Sequence, residues 1–128
     1  MAYKEDDEIV TTFILETRDH LEDIEQGILS LENNMARVDQ NLVHKIFRAA
    51  HSIKAGANLL EFRNIEAVAH ELEEILQKVR LGQYKLTGDD VSLLLSGIDK
   101  LNEMIGNIYC CDQISVDPLI KRLNAMTR

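Results

Sequence analysis

The chain has no tryptophan, one proline and only 5% aromatic residues among its 128 residues. With so little proline, long stretches can keep helical hydrogen bonding, and those stretches carry a helical period. No run of about 18 apolar residues occurs, so no segment reads as a membrane-spanning helix. The opening residues, Met1 to Glu8, lack the basic and apolar regions of a secretory signal. Cysteine occurs only as the adjacent pair Cys110-Cys111. That spacing fits no metal site and no Cys-x-x-Cys redox motif, so two reduced thiols in a cytosolic protein are expected. Neither Gly-x-x-x-x-Gly-Lys-Ser/Thr nor Gly-x-Gly-x-x-Gly is present, so no phosphate-cradling loop is expected. Positive charge is scarce: 14 Lys and Arg stand against 22 Asp and Glu, a formal net charge of −8. General binding to nucleic acid or to anionic membranes is thereby disfavoured, and acidity alone commonly signals no more than solubility.

What is present suits one folded domain: 45% hydrophobic and 28% charged residues. The spacing predicts an all-α, antiparallel up-and-down four-helix bundle with a short accessory C-terminal fifth helix. The first helix is expected from Glu5 to about Asn33, with a stripe of Ile9, Phe13, Thr17, Leu21, Ile24, Ile28 and Leu31. Asp39 is the expected N-cap of a second helix reaching Leu60, and Asn64 that of a third with Ile65, Val68, Ala69, Leu72, Leu76 and Val79 inside. Gly82 is placed just past its end. Thr87 caps a fourth helix with Asp89 and Asp90 in its first turn; its stripe is Val91, Leu94, Leu95, Ile98, Leu101, Ile105 and Ile108. Asp117-Pro118 reads as N-cap and first residue of the fifth helix, ending near Met126. The bundle core is expected over about 8–108 and the accessory helix over about 117–127, the whole of 1–128 being one domain cut from something longer.

At 100° per residue, Leu42, Ile46, Ala49, Ile53, Ala57 and Leu60 form the inner stripe of the second helix, and His51 falls on the outer side. Phe47 lies one turn before His51 and Lys54 one turn after it. A lone histidine on an outer face is ordinarily just solvated, but the third helix adds to it. There Glu66, His70, Glu73 and Gln77 share one flank, which an antiparallel bundle would turn toward the second helix. His51, Lys54, His70 and Glu73 could then meet across the seam.

Imidazole, ammonium and carboxylate together suit phosphoryl carriage. Neutral imidazole, with an unperturbed pKa of about 6.5, is nucleophilic at physiological pH. A carboxylate that accepts the Nδ1–H would fix the tautomer and leave the Nε2 lone pair outward. Lys54 would offset part of the charge of an arriving phosphoryl group. Nothing in the sequence would bind ATP or activate water. His70 and Glu73 at i, i+3 are common on solvated faces, however, and His20 and His44 read as surface residues. A metal is not expected, because His70-Glu71-Leu72-Glu73-Glu74 lacks the second histidine of His-Glu-x-x-His. Phe47 could be half exposed and help a partner dock, or pack against the first or third helix.

Phe47-Arg48-Ala49-Ala50-His51-Ser52-Ile53-Lys54 resembles the signature of histidine-containing phosphotransfer (HPt) domains, most closely the N-terminal phosphotransfer domain of CheA-type chemotaxis histidine kinases. Phe13-Ile14-Leu15-Glu16, His20-Leu21 and Leu29-Ser30-Leu31-Glu32 resemble that family's first helix. Its third is resembled by Ala69 to Leu76 with Arg80-Leu81-Gly82, and its fourth by Leu93-Leu94-Leu95 through Asp99-Lys100-Leu101. The resemblance implies that His51 is phosphorylated, on Nε2, by a separate ATP-binding histidine kinase domain, in trans within a dimer. It implies that Glu73 orients the imidazole, with Lys54 and His70 completing a hydrogen-bonded network. The phosphoryl group then passes to an aspartate of a response-regulator receiver domain. No cofactor is expected in this domain itself; ATP with magnesium belongs to the kinase domain. By the same resemblance the module is a cytoplasmic part of a transferase, and a monomer in isolation. The family usually has glycine directly after the lysine, where this chain has Ala55 and then Gly56. Phe47, Ala55, Gly56 and Asn58 are therefore the expected partner-docking positions. The alternative is a docking module that carries no phosphate.

Overall fold

The computed structural model describes residues 7–127. Five α-helices, α1 (Glu8–Glu32), α2 (Gln40–Leu60), α3 (Arg63–Arg80), α4 (Gly88–Gly106) and α5 (Asp117–Met126), account for most of them. A short 3-10 helix, Ile108–Gln113, precedes α5. No strand occurs among the described residues. Helices α1 to α4 close a ring in which α1 meets α2 and α4, and α3 meets α2 and α4, while α5 lies against α3 and α4.

Local chemistry explains where each helix begins and ends. Asp7 caps α1 by accepting the Ile9 N–H at 2.8 Å; the expected start at Glu5 lies outside the described residues. The inward stripe of α1 runs through Val10 rather than Ile9, which is exposed. Gly27 lets α1 close on α2, since a Cβ there would sit 2.4 Å from Ile46 Cγ2. Asp39 caps α2 as expected. Helix α2 ends on Glu61 at φ 63°, with the Phe62 N–H donating to the Ala57 carbonyl. Two residues later the chain starts α3, which explains why α2 and α3 are tightly apposed. Gly82 takes φ +72° past α3, and the N–H groups of Gly82 and Gln83 close onto the carbonyls of Val79 and Lys78. Thr87 and Asp90 form a reciprocal capping box at α4.

Two expected caps are wrong. Asn64 lies inside the first turn of α3, where the N-cap position is Phe62 and has no capping side chain. The orphan N–H groups of Arg63 and Asn64 donate instead to the Asp112 carboxylate, at 3.4 and 2.9 Å. Likewise Asp117 is the first residue of α5, not its cap; Val116 holds the cap position and Pro118 follows within the first turn, where its missing N–H costs nothing.

The core runs the length of the ring, from Val10, Leu21 and Ile28 on α1 through Ile46 and Ile53 on α2 to Ile65, Leu72 and Leu76 on α3 and Leu94, Ile98 and Leu101 on α4. In α4, Met104 is buried where Leu95 is only half-buried. Leu123 brings α5 into this core beside Gly97 and Leu72.

Candidate functional site

The α2/α3 seam brings His51 and Glu73 together. His51 Nδ1 is hydrogen-bonded to Glu73 Oε2, and Lys54 Nζ donates to Glu73 Oε1 at 2.6 Å. The Glu73 side chain is only 8% exposed, whereas that of His51 is 58% exposed. Helix geometry makes this possible: His51 and Lys54 are one turn apart on α2, so both reach one carboxylate on the facing helix. With Nδ1 held inward, the Nε2 side of the ring is presented to solvent.

Burial pushes the Glu73 carboxyl toward protonation, but the hydrogen bonds from Lys54 and His51 outweigh it and hold the pKa below the ordinary carboxylate range. Glu73 is thus an anion at neutral pH, and an anion that accepts Nδ1–H stabilises the tautomer with its lone pair on Nε2.

Other expected residues fare differently. His70 is exposed and its side chain makes no hydrogen bond among the described residues, so it is not part of a bonded network with Glu73. One ligand-type atom each of His70, Glu73 and Glu74 lie within 4.8 Å of one another, the grouping among the described residues with metal-ligand chemistry. Whichever Glu73 oxygen belongs to that grouping already serves His51 or Lys54. Phe47 is half-buried and packs within the molecule: the Arg80 guanidinium lies 5.0 Å from its ring centroid and the His44 ring stacks beside it. Asn58 is exposed but donates to Glu66 across the seam at 2.7 Å. Gly56 faces α1, where a Cβ would stand 2.9 Å from Phe13 Cε1, so this glycine serves helix packing rather than a partner. Ala55 alone of the expected docking positions is exposed on the His51 side with no internal role.

Sequence reasoning missed three contacts near the site. Glu66 stands on the expected flank, where it accepts from Asn58, a partner the spacing does not indicate. Buried Glu71 accepts from Asn124 of α5 at 3.1 Å. Arg80 is held by Gln77 over Phe47. Only the i, i+3 spacing of Gln77 and Arg80 was a local signal for any of them. The thiols of Cys110 and Cys111 are free, and burial pushes that of Cys111 up to about 11.

A bundle with an exposed, carboxylate-oriented histidine defines a class, and comparison with known proteins agrees with it. The Hpt domain family model matches residues 8–107, and the chain belongs to that family. It is 31% identical over 127 residues to the sensor histidine kinase CheAY of Helicobacter pylori, covering 94% of this chain and 16% of that protein. The CheA phosphotransferase domain from Thermotoga maritima superposes with TM-score 0.72 at 30% identity, covering 80% of this chain and 97% of that one. The phosphorylated P1 domain of CheA3 in complex with CheY6 from R. sphaeroides shares the fold, with TM-score 0.79 at 22% identity over 92% of this chain and 94% of that one. The chain thus spans about a sixth of the curated kinases it matches. No helix among the described residues is long and apolar enough to cross a membrane.

Proposed function

We propose that this domain is the phosphoryl carrier of a chemotaxis-type two-component pathway, with His51 as the residue that is phosphorylated. One observation carries the reading: an exposed imidazole whose Nδ1 is held by a buried carboxylate that Lys54 also binds. Nε2 attacks the γ-phosphorus of ATP held, with magnesium, by a separate kinase domain. The Nε2–P bond forms as the bond to the ADP oxygen breaks. The Nδ1 proton stays on the ring, and the anionic Glu73 stabilises the positive charge that the phosphorylated ring acquires. A receiver aspartate then attacks phosphorus, the N–P electron pair returns to Nε2, and neutral imidazole leaves. The module acts in the cytoplasm, as part of a longer kinase and as a monomer when isolated.

The test is phosphorylation by a CheA-type kinase domain with radiolabelled ATP. Wild type should take an acid-labile, base-stable label that a receiver domain removes, and His51→Gln should show only background. Equal labelling of His51→Gln overturns the reading.

A further inference from the structure

Helix α2 is the only α-helix among the described residues with no Asp or Glu, in a chain of net charge −8. At 100° per residue its outer face places His44, Arg48, His51, Ala55 and Asn58 within an arc of roughly 80°. Lys45 lies beside that arc. A cleft of about 330 Å³ runs along its edge between α1 and α2, lined by His44, Lys45 and Arg48 and by His20 and Asp23 of α1.

The cation expected to meet the phosphoryl group, Lys54, is already committed to the Glu73 carboxylate at 2.6 Å. Arg48 is exposed, and its side chain has no ion pair or hydrogen bond among the described residues. It sits one turn N-terminal to His51, and helical side chains lean over the preceding turn, so the His51 ring overlies the Phe47–Arg48 turn.

Transfer from phosphohistidine to an aspartate brings two anions together, the phosphoryl group and the attacking carboxylate. Their approach is eased by a nearby cation that is not already neutralised. We propose that Arg48, extended by Lys45, is the cationic docking edge for the phosphoacceptor face of an aspartate-bearing receiver. This rests on the relay proposed above and names the residue that governs its second half-reaction. As Nε2–P breaks and the carboxylate O–P bond forms, the guanidinium stays paired with carboxylates on the partner's face, away from the reacting atoms. It exchanges no proton. Arg48 is therefore a positioning residue that acts chiefly on encounter.

The experiment uses protein labelled on His51 with phosphoramidate, a small donor that needs no kinase domain. Transfer is followed by rapid quench, per labelled molecule, to the CheY-type receiver that accepts fastest from wild type in a panel. Arg48→Glu should lower kcat/KM for transfer at least tenfold at low salt, chiefly through KM. Arg48→Ala should flatten the salt dependence, because less charge remains to be screened. Arg48→Lys should restore most of the rate, and Lys121→Glu on exposed α5 should leave it unchanged. Arg48→Glu transferring at the wild-type rate with the wild-type salt slope overturns the proposal. So does an equal loss in Lys121→Glu, which would mean net charge rather than Arg48. A loss confined to phosphorylation by the kinase domain also overturns it and assigns the edge to that partner. If wild type takes no label on His51 even from phosphoramidate, the relay reading fails, and this proposal with it.

Discussion

Glu73 is a buried carboxylate with two cation-capable partners, and its effects can be separated by substitution. Glu73→Gln keeps the shape but lends no negative charge to the phosphorylated ring. Phosphorylation of His51 should slow by roughly 10- to 100-fold, by analogy with the loss of an orienting partner behind a metal-binding histidine, while far-ultraviolet circular dichroism stays helical. Stability carries a second signature. The folded-state pKa of Glu73 is depressed, so its stabilisation is present above the ordinary value of 4.5 and is lost as pH falls through the lower folded value. Thermal melts of wild type and Glu73→Gln should therefore differ at pH 7 and converge in the acidic window below 4.5.

At the scale of elements, α3 is the helix that has to be held in register, because Glu73 rides on it. Its first turn has no cap of its own and borrows the Asp112 carboxylate from the 3-10 helix, while Asn64 Nδ2 donates to the Ile114 carbonyl at 2.9 Å. Asp112→Ala should cost about 1 kcal/mol, as loss of a capping side chain does. Amide hydrogen exchange should rise at Arg63 and Asn64 before anywhere else in α3. Unchanged exchange there would show that water replaces the carboxylate without loss. The opposite end is closed by the Gly82 turn, so the two ends of α3 are fixed by unrelated devices.

For the whole molecule, α5 completes the core on the side of the bundle away from α1. Leu123 is fully buried, and a Cβ on Gly97 would lie 3.7 Å from its Cδ1 and 3.1 Å from Leu72 Cδ2. Leu123→Ala should destabilise the domain by about 2–5 kcal/mol, the cost of an unfilled cavity, read by urea denaturation. The His51–Glu73 pair lies in the α2/α3 seam, so labelling of the folded variant should persist. A folded variant that had lost labelling would mean that α5 controls the site as well as the fold.

Much of this was legible in the chain because the signals are local. Periods of three and four residues gave the helices, Asp39 and the Thr87–Asp90 box gave two starts, and His51, Lys54 and Glu73 stood on faces that a short connection must bring together. What depends on residues far apart was not legible. The cap on α3 comes from a carboxylate 48 residues away from Asn64, and no spacing rule reaches that far. Gly56 is set by the Phe13 ring on another helix. His70 shares its flank with Glu73, yet only the relative rotation and depth of α2 and α3 decide which side chain reaches the imidazole. Sequence by itself determined an all-α bundle with a histidine facing outward, because helical period and capping act within a few residues. Only the tertiary structure decided that Lys54 is spent on Glu73 and that the Arg48 side chain has no ion-pair partner among the described residues, because ion pairing depends on which helices lie side by side.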